Sequence, residues 1–175
     1  MKRIVLGLLI SWCTMHAHHP ATIDYLKNHP QHVELCARWS FETWGHYTPE
    51  RPLEDFIASR KQYLNDDKLP LTYLALVDQK PVGMCSLAVN RGLFPELTPW
   101  LATLYVEPEY SKQGIGTMLE KATCDKARSM GYKMIYLFTS EANLVPWYEK
   151  LNWKVRCVAE IHNHQVTVME KKLDN

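Results

Sequence analysis

The stretch Trp100-Leu-Ala-Thr-Leu-Tyr-Val-Glu-Pro-Glu-Tyr-Ser-Lys-Gln-Gly-Ile-Gly-Thr-Met-Leu119 decides how the chain is read. Its apolar run ends at Val106 and breaks at Pro108. A short polar turn follows, and Gly114 and Gly116 then head an amphipathic segment, which spells a strand, a phosphate-sized loop and a helix. Glycines at alternate positions let backbone N–H groups converge without side-chain obstruction at the positive end of the following helix, and that suits a pyrophosphate. A close-packed strand-to-helix turn also asks for small residues, so the glycine pair alone leaves both readings open. A dinucleotide fingerprint would place a third glycine where Leu119 stands, and a triphosphate loop would need Gly-Lys-Ser/Thr, which is absent.

Working outward, the aliphatic runs 71–77 and 82–89, separated by Asp78-Gln79-Lys80-Pro81, predict an antiparallel hairpin. A loop over 90–99 leads into the opening strand. Further upstream lie a short strand at 22–26, an amphipathic helix over about 31–46 with Val33, Cys36, Ala37, Ser40, Phe41 and Trp44 on one face, and a second helix. Pro49 and Pro52 introduce that helix, whose apolar face is Leu53, Phe56, Ile57, Tyr63 and Leu64. Downstream of the glycines, the helix is expected to bury Ile115, Met118, Leu119 and Ala122 and to keep Glu120, Lys121, Asp125 and Arg128 in water, ending at Gly131. A buried strand at 133–139, a short helix at 143–151 with Pro146 in its first turn, and a left-handed stop at Asn152 follow. Strands at 154–158 and 166–171, joined through His162-Asn163-His164, form a terminal hairpin. The order β-α-α-β-β-β-α-β-α-β-β predicts an α/β or α+β fold, a mixed and partly parallel sheet flanked by helices.

With 175 residues, 46% of them hydrophobic and 22% charged, the chain suits a single domain over 21–175. A net charge of +1 and no Lys/Arg-rich run argue against a nucleic-acid partner. Five cysteines, odd in number and without a CxxC pair, disfavour a disulfide framework or a structural zinc. Residues 1–20 are an N-terminal extension with two accounts. Lys2-Arg3 followed by an apolar run resembles a secretory signal, whereas a misassigned start would place true initiation at Met15. His16, His18 and His19 invite a metal reading, but no carboxylate or cysteine stands at a ligand spacing, so no metal is expected.

Val106-Glu-Pro-Glu-Tyr-Ser-Lys-Gln-Gly-Ile-Gly-Thr-Met-Leu119 resembles the pyrophosphate motif of the GNAT superfamily of acetyl-CoA-dependent N-acetyltransferases. Asn143 with Trp147-Tyr-Glu-Lys-Leu-Asn-Trp153 is similar to its second motif. The element order also matches over roughly 23–173. Ser111 stands where the family usually has Gln or Arg, and Asn152 where it usually has Gly; the first weakens one side-chain contact to the cofactor and leaves the backbone cradle. The resemblance implies that the N–H groups of Gln113, Gly114, Ile115, Gly116 and Thr117 hold the pyrophosphate of acetyl-CoA. It implies that the main chain of Leu104, Tyr105 and Val106 pairs with the pantetheine arm where that strand splays from 133–139, with Asn143 touching the same arm. Tyr148 matches the position whose hydroxyl lies near the thioester sulfur, where a phenol can protonate the departing thiolate.

The nucleophile must be a neutral amine, so a base is sought. Glu96 is the first candidate because its loop should border the acceptor cleft, and Glu42 the second; a solvated surface carboxylate is the competing account of each. Trp44-Gly45-His46-Tyr47 offers aromatic residues for an acceptor pocket or for core packing. Cys85, Cys124 and Cys157 lack a motif-placed histidine, which argues against an acyl-cysteine intermediate. The expectation is acetyl transfer from acetyl-CoA directly to a primary amine of a small molecule or peptide. The rival is a non-catalytic acyl-CoA-binding sensor or interaction domain. Because the donor is a cytosolic metabolite, a cytoplasmic protein is expected. Export or membrane tethering applies only if residues 1–17 are a true signal or a retained anchor, and a homodimer is allowed for.

Overall fold

Strand-forming aliphatic runs and two tight hairpins build a single twisted sheet. The computed structural model describes residues 20–173; the signal-like or late-start segment, with Cys13 and the His16, His18 and His19 group, lies outside the described residues. Among the described residues the strands are β1 (Thr22–Tyr25), β2 (Leu71–Val77), β3 (Lys80–Ala88), β4 (Trp100–Val106), β5 (Met134–Thr139), β6 (Lys154–Ile161) and β7 (His164–Lys172). They lie in the order β1-β2-β3-β4-β5-β7-β6. Every neighbouring pair is antiparallel except β4 and β5. The sheet is thus mixed and partly parallel, as the element order predicts.

The helices α1 (Val33–Trp44) and α2 (Leu53–Lys61) cover one face, and α3 (Ile115–Ser129) and α4 (Val145–Lys150) the other. Successive strand side chains point to opposite faces. On β2, Leu71, Tyr73 and Ala75 accordingly join Ile115, Leu119 and Ala127 of α3, while Leu74 and Leu76 meet Val33, Cys36 and Trp39 of α1. Burial on both faces explains why these runs are continuous rather than alternating. A third cluster, Leu97, Trp100, Val166 and Val168, fills the end of the sheet where β4 begins. No helix among the described residues is long and apolar enough to cross a membrane.

Both hairpin turns are shorter than the sequence suggests. Asp78-Gln79 and His162-Asn163 all have positive φ (49° and 64°, 51° and 62°), the two-residue turn whose twist matches paired strands. Strand β3 therefore starts at Lys80, and β6 and β7 extend to Ile161 and His164. Two residues of α3 depart from expectation. Met118 is 39% exposed and Glu120 only 2%. The cause lies in the neighbouring elements: Glu120 Oε1 accepts hydrogen bonds from Trp153 Nε1 (2.8 Å) and Lys171 Nζ (2.8 Å), so the helix turns that edge inward.

Candidate active site

Strand β4 is irregular on one side and largely unpaired on the other. Against β3, Met84 faces Tyr105 and Ser86 faces Ala102, so Thr103 and Leu104 together lie opposite Cys85. That is a β-bulge, a device that re-aims a strand and is common beside active sites. Thr103 sits at φ 47°, a left-handed conformation that costs a β-branched residue roughly 1–3 kcal/mol. A hydrogen bond of 2.8 Å between Thr103 Oγ1 and Ser86 Oγ helps hold it. Toward β5 the ladder has the single rung Trp100–Tyr136, supported by the Tyr136 N–H donating to Pro99 O (3.0 Å). Beyond it the main chain of Leu104, Tyr105 and Val106 has no ladder partner on that side.

The loop leading into α3 leaves backbone donors free. Gly114, at φ 83°, is the residue before the helix, and no side chain caps it. A Cβ there would have open space, so the requirement for glycine is conformational. The N–H groups of Gln113, Gly114, Ile115, Gly116 and Thr117 have no acceptor among the described residues. Such a set at the positive end of a helix of 15 residues can hold an anion. Nearby side chains shape the loop instead: Ser111 Oγ donates to Pro108 O (2.7 Å) and Gln113 Nε2 to Glu109 O (3.1 Å). The Trp147 ring of α4 lies 3.6 Å from where a Cβ on Gly116 would be, so the two sequence motifs meet in space. Asn143 is exposed on the 3-10 turn Ala142–Leu144 between β5 and α4.

A cavity of about 410 Å³ opens on the α1–α2 side of this strand. Leu104 and Tyr148 border it, together with Trp44 and Tyr47, whereas none of residues 111–117 does. Tyr47 Oη and Ser140 Oγ, 2.6 Å apart, tie the α1–α2 connection to the end of β5. Tyr148 is 6% exposed, its ring packed against Trp147 and Trp153 with centroids 4.8 and 6.0 Å away. Its hydroxyl makes no hydrogen bond to any described residue and is not sealed from the cavity. Burial pushes this phenol above its ordinary value, with smaller contributions from Cys85 and Glu120.

The two carboxylates singled out in the sequence are elsewhere. Glu96 is exposed in the loop before β4, its neighbours Leu97 and Trp100 turned into the third core cluster, and Glu42 is exposed on α1; neither lines the cavity. The carboxylate that does so is Glu141. Cys36 and Cys85 are buried thiols pushed up to about 12, in each case mainly by burial, which disfavours the nucleophilic thiolate.

Besides Glu141, three features around the cavity went unread in the sequence. Arg60 of α2 is buried among Ser40, Thr72 and Ser86. Its signal was a charge inside the stripe of Phe56, Ile57, Tyr63 and Leu64. Glu107 accepts from Trp39 Nε1 (2.8 Å) and Tyr105 Oη (3.0 Å), clamping α1 to the end of β4. Burial and that Glu107 contact push Tyr105 up to about 12. The Thr103 bulge had no signal, since a β-branched residue in an apolar run argues for regular strand.

The fold is shared with solved acetyltransferases. An aminoglycoside 6'-N-acetyltransferase complexed with coenzyme A matches with a TM-score of 0.70 at 19% identity, over 88% of this chain and 98% of its own. The aminoglycoside 6'-N-acetyltransferase from Enterococcus faecium gives 0.67 at 20% over 88% and 98%. Ard1 from Thermoplasma volcanium gives 0.68 at 12% over 89% and 99%. At these identities the likeness concerns the fold alone. No curated protein matches the sequence at a significant level. The sequence model of the Acetyltransferase (GNAT) family matches residues 33–153, a span that holds the uncapped loop, the half-paired β4 and Tyr148 together; by that match the chain belongs to the GNAT family of acetyltransferases.

Proposed function

We propose that residues 21–175 form one catalytic domain that moves an acetyl group from acetyl-CoA directly to a primary amine of a small molecule or peptide. The observation that carries this reading is the position of β4. Its unpaired edge at Leu104 lies beside the cavity that Tyr148 borders, with the free amides of the α3 loop at its other end.

In this reading the N–H groups of Gln113, Gly114, Ile115, Gly116 and Thr117 hold the pyrophosphate of acetyl-CoA. The main chain of Leu104, Tyr105 and Val106 accepts the pantetheine arm as an added strand, and Asn143 touches it. The amine, entering from the cavity, attacks the thioester carbonyl carbon with its lone pair. A C–N bond forms, the C–S bond breaks with its electrons on sulfur, and the Tyr148 hydroxyl gives a proton to the thiolate. Its raised pKa keeps the phenol protonated throughout the neutral range. The amine proton leaves to water or to Glu141, which replaces Glu96 as the candidate base because it lines the cavity. Arg51, Arg60 and Arg91 on the cavity wall disfavour the ammonium form and so favour the nucleophile. The buried, protonated thiols favour this direct route over an acyl-cysteine.

Because the donor is a cytosolic metabolite, this reading places the protein in the cytoplasm. The sequence-based allowance for a homodimer is checked by light scattering.

Thiol release from acetyl-CoA across a panel of primary amines tests the function, with calorimetric binding of coenzyme A in parallel. Amine-dependent release is expected. Tight coenzyme A binding with no release for any amine would assign the chain to an acyl-CoA sensor instead.

A further inference from the structure

This inference rests on the acetyltransferase reading and concerns the acceptor. Arg60, in the last turn of α2, is 6% exposed and lines the cavity. Its Nη1 donates to Thr72 Oγ1 (3.1 Å) and Ser86 Oγ (2.8 Å), and its Nη2 to Ser40 Oγ (2.6 Å). The Tyr63 ring lies 5.0 Å from the guanidinium carbon. Every one of these partners is neutral. A guanidinium carries five N–H donors and keeps its charge in proteins. The Nε proton and one Nη2 proton therefore have no acceptor among the described residues, and the charge has no counter-ion among them.

Two further cations share this cavity. Arg91 sits 5.8 Å from the centre of the Phe138 ring and Arg51 4.7 Å from that of Phe56, and neither has a carboxylate partner among the described residues. Three arginines and one carboxylate, Glu141, thus line the cavity. Burial is the main cause that pushes Arg60 below its ordinary value. Arg91 adds to that effect, while the Cys36, Tyr63 and Cys85 side chains oppose it, so the two arginines are near enough to repel. A buried, uncompensated ion is destabilising, and an anion brought by a ligand relieves it.

We propose that the acceptor is a primary amine that also carries a carboxylate, an amino acid or a molecule of that kind, with the carboxylate seated on Arg60 and Arg91. Arg60 keeps two N–H donors without an acceptor among the described residues, and a carboxylate supplies two oxygens that can accept them. A polycationic amine meets repulsion from the three arginines that line the cavity, one of them buried. The cavity, near 410 Å³, falls in the range of about 300–1,000 Å³ typical of small-molecule sites. Trp44, Phe56 and Phe138 offer apolar wall for the remainder of the molecule.

Titration calorimetry tests the charge preference without requiring turnover. The protein saturated with coenzyme A is titrated with N-acetyl derivatives of glycine, leucine, phenylalanine and glutamate, each as free acid and as carboxamide. For at least one pair the acid is expected to bind tenfold or more tightly than its amide. Arg91→Gln is expected to bring that ratio near one, and Arg60→Lys, with its melting point checked, to reduce it. Equal affinity of acid and amide in every pair, including no measurable binding of either, overturns the inference.

Acetyl transfer is then measured with the parent amino acids, their amides, phosphoethanolamine, spermidine and kanamycin. A kcat/KM at least tenfold higher for an amino acid than for its amide and for both polycations is expected. Transfer to amides or polycations as good as to acids overturns the inference and leaves the acetyltransferase reading standing. A clear preference for phosphoethanolamine overturns the carboxylate. Preferential acid binding with no transfer to any amine does the reverse, supporting the anion site and refuting the acetyltransferase reading.

Discussion

Replacing Tyr148 by Phe removes one oxygen from the cavity wall and little else. The ring's packing against Trp147 and Trp153 is retained, and no hydrogen bond to a described residue is lost. The melting temperature should therefore stay within about 2 °C, since 1 kcal/mol moves a domain of this size by about 2–4 °C. Loss of a general acid costs about 10² to 10⁴ in rate. A thiolate leaves readily, and a phenol raised by burial is a weak acid, so the low end applies: about 10² in kcat, or about 2.7 kcal/mol of barrier. Continuous thiol release at saturating acetyl-CoA reads kcat, and calorimetry with coenzyme A should give an unchanged Kd. Activity that needs the protonated phenol is lost as pH rises through the folded pKa. Because that value is raised, the loss should begin above the ordinary value of about 10. Undiminished turnover would remove Tyr148 from the chemistry, and a fall in kcat accompanied by a melting point many degrees lower would make it a packing residue.

Three further outcomes are expected. Glu120→Ala strands the buried Trp153 indole N–H and the Lys171 ammonium, which costs roughly 3–5 kcal/mol, whereas Glu120→Gln keeps an acceptor and should lose less; calorimetric melting checks this, and equal losses would contradict it. Gly83→Ala would put a Cβ 2.7 Å from Tyr105 O and 3.3 Å from Val106 Cα, backbone atoms that cannot rotate away. A cost of about 1–3 kcal/mol should come with weaker coenzyme A binding, and an unchanged melting point would refute the close approach. At Asp24 burial, the largest single effect, pushes the carboxyl up, but the side-chain contacts of Asn28 and His29 and the Tyr25 N–H outweigh it and leave the pKa lowered. Its contribution is present above the unfolded value of about 3.9 and is lost as pH falls through the folded one. Asp24→Asn should flatten the acid limb of a melting-temperature profile from pH 7 to 3, and parallel limbs would discount the carboxylate.

Most of the element boundaries were legible in the sequence because local signals specify them. Prolines, glycines and the apolar period act within a few residues, and Asn152, predicted as a left-handed stop, has φ 66°. The glycine pair before α3 was legible for the same reason, because a positive φ and an uncapped helix start depend on adjacent residues alone. The chain by itself thus determined where its strands and helices lie, that the sheet is mixed, and where an anion-holding loop would be.

Tertiary structure decided the rest, because the remaining questions are about which distant side chains share a space. Glu120 has the spacing of a wet helical residue, and only the arrival of Trp153 and Lys171 from 33 and 51 residues away makes it a buried acceptor. Glu96 neighbours β4 in sequence yet is exposed and does not line the cavity, while Glu141, just beyond the end of β5, lines it. The charge of the acceptor cavity was beyond sequence reasoning altogether. Arg51, Arg60, Arg91 and Glu141 come from three separate parts of the chain that nets +1, and only their convergence on one cavity gives its lining a sign.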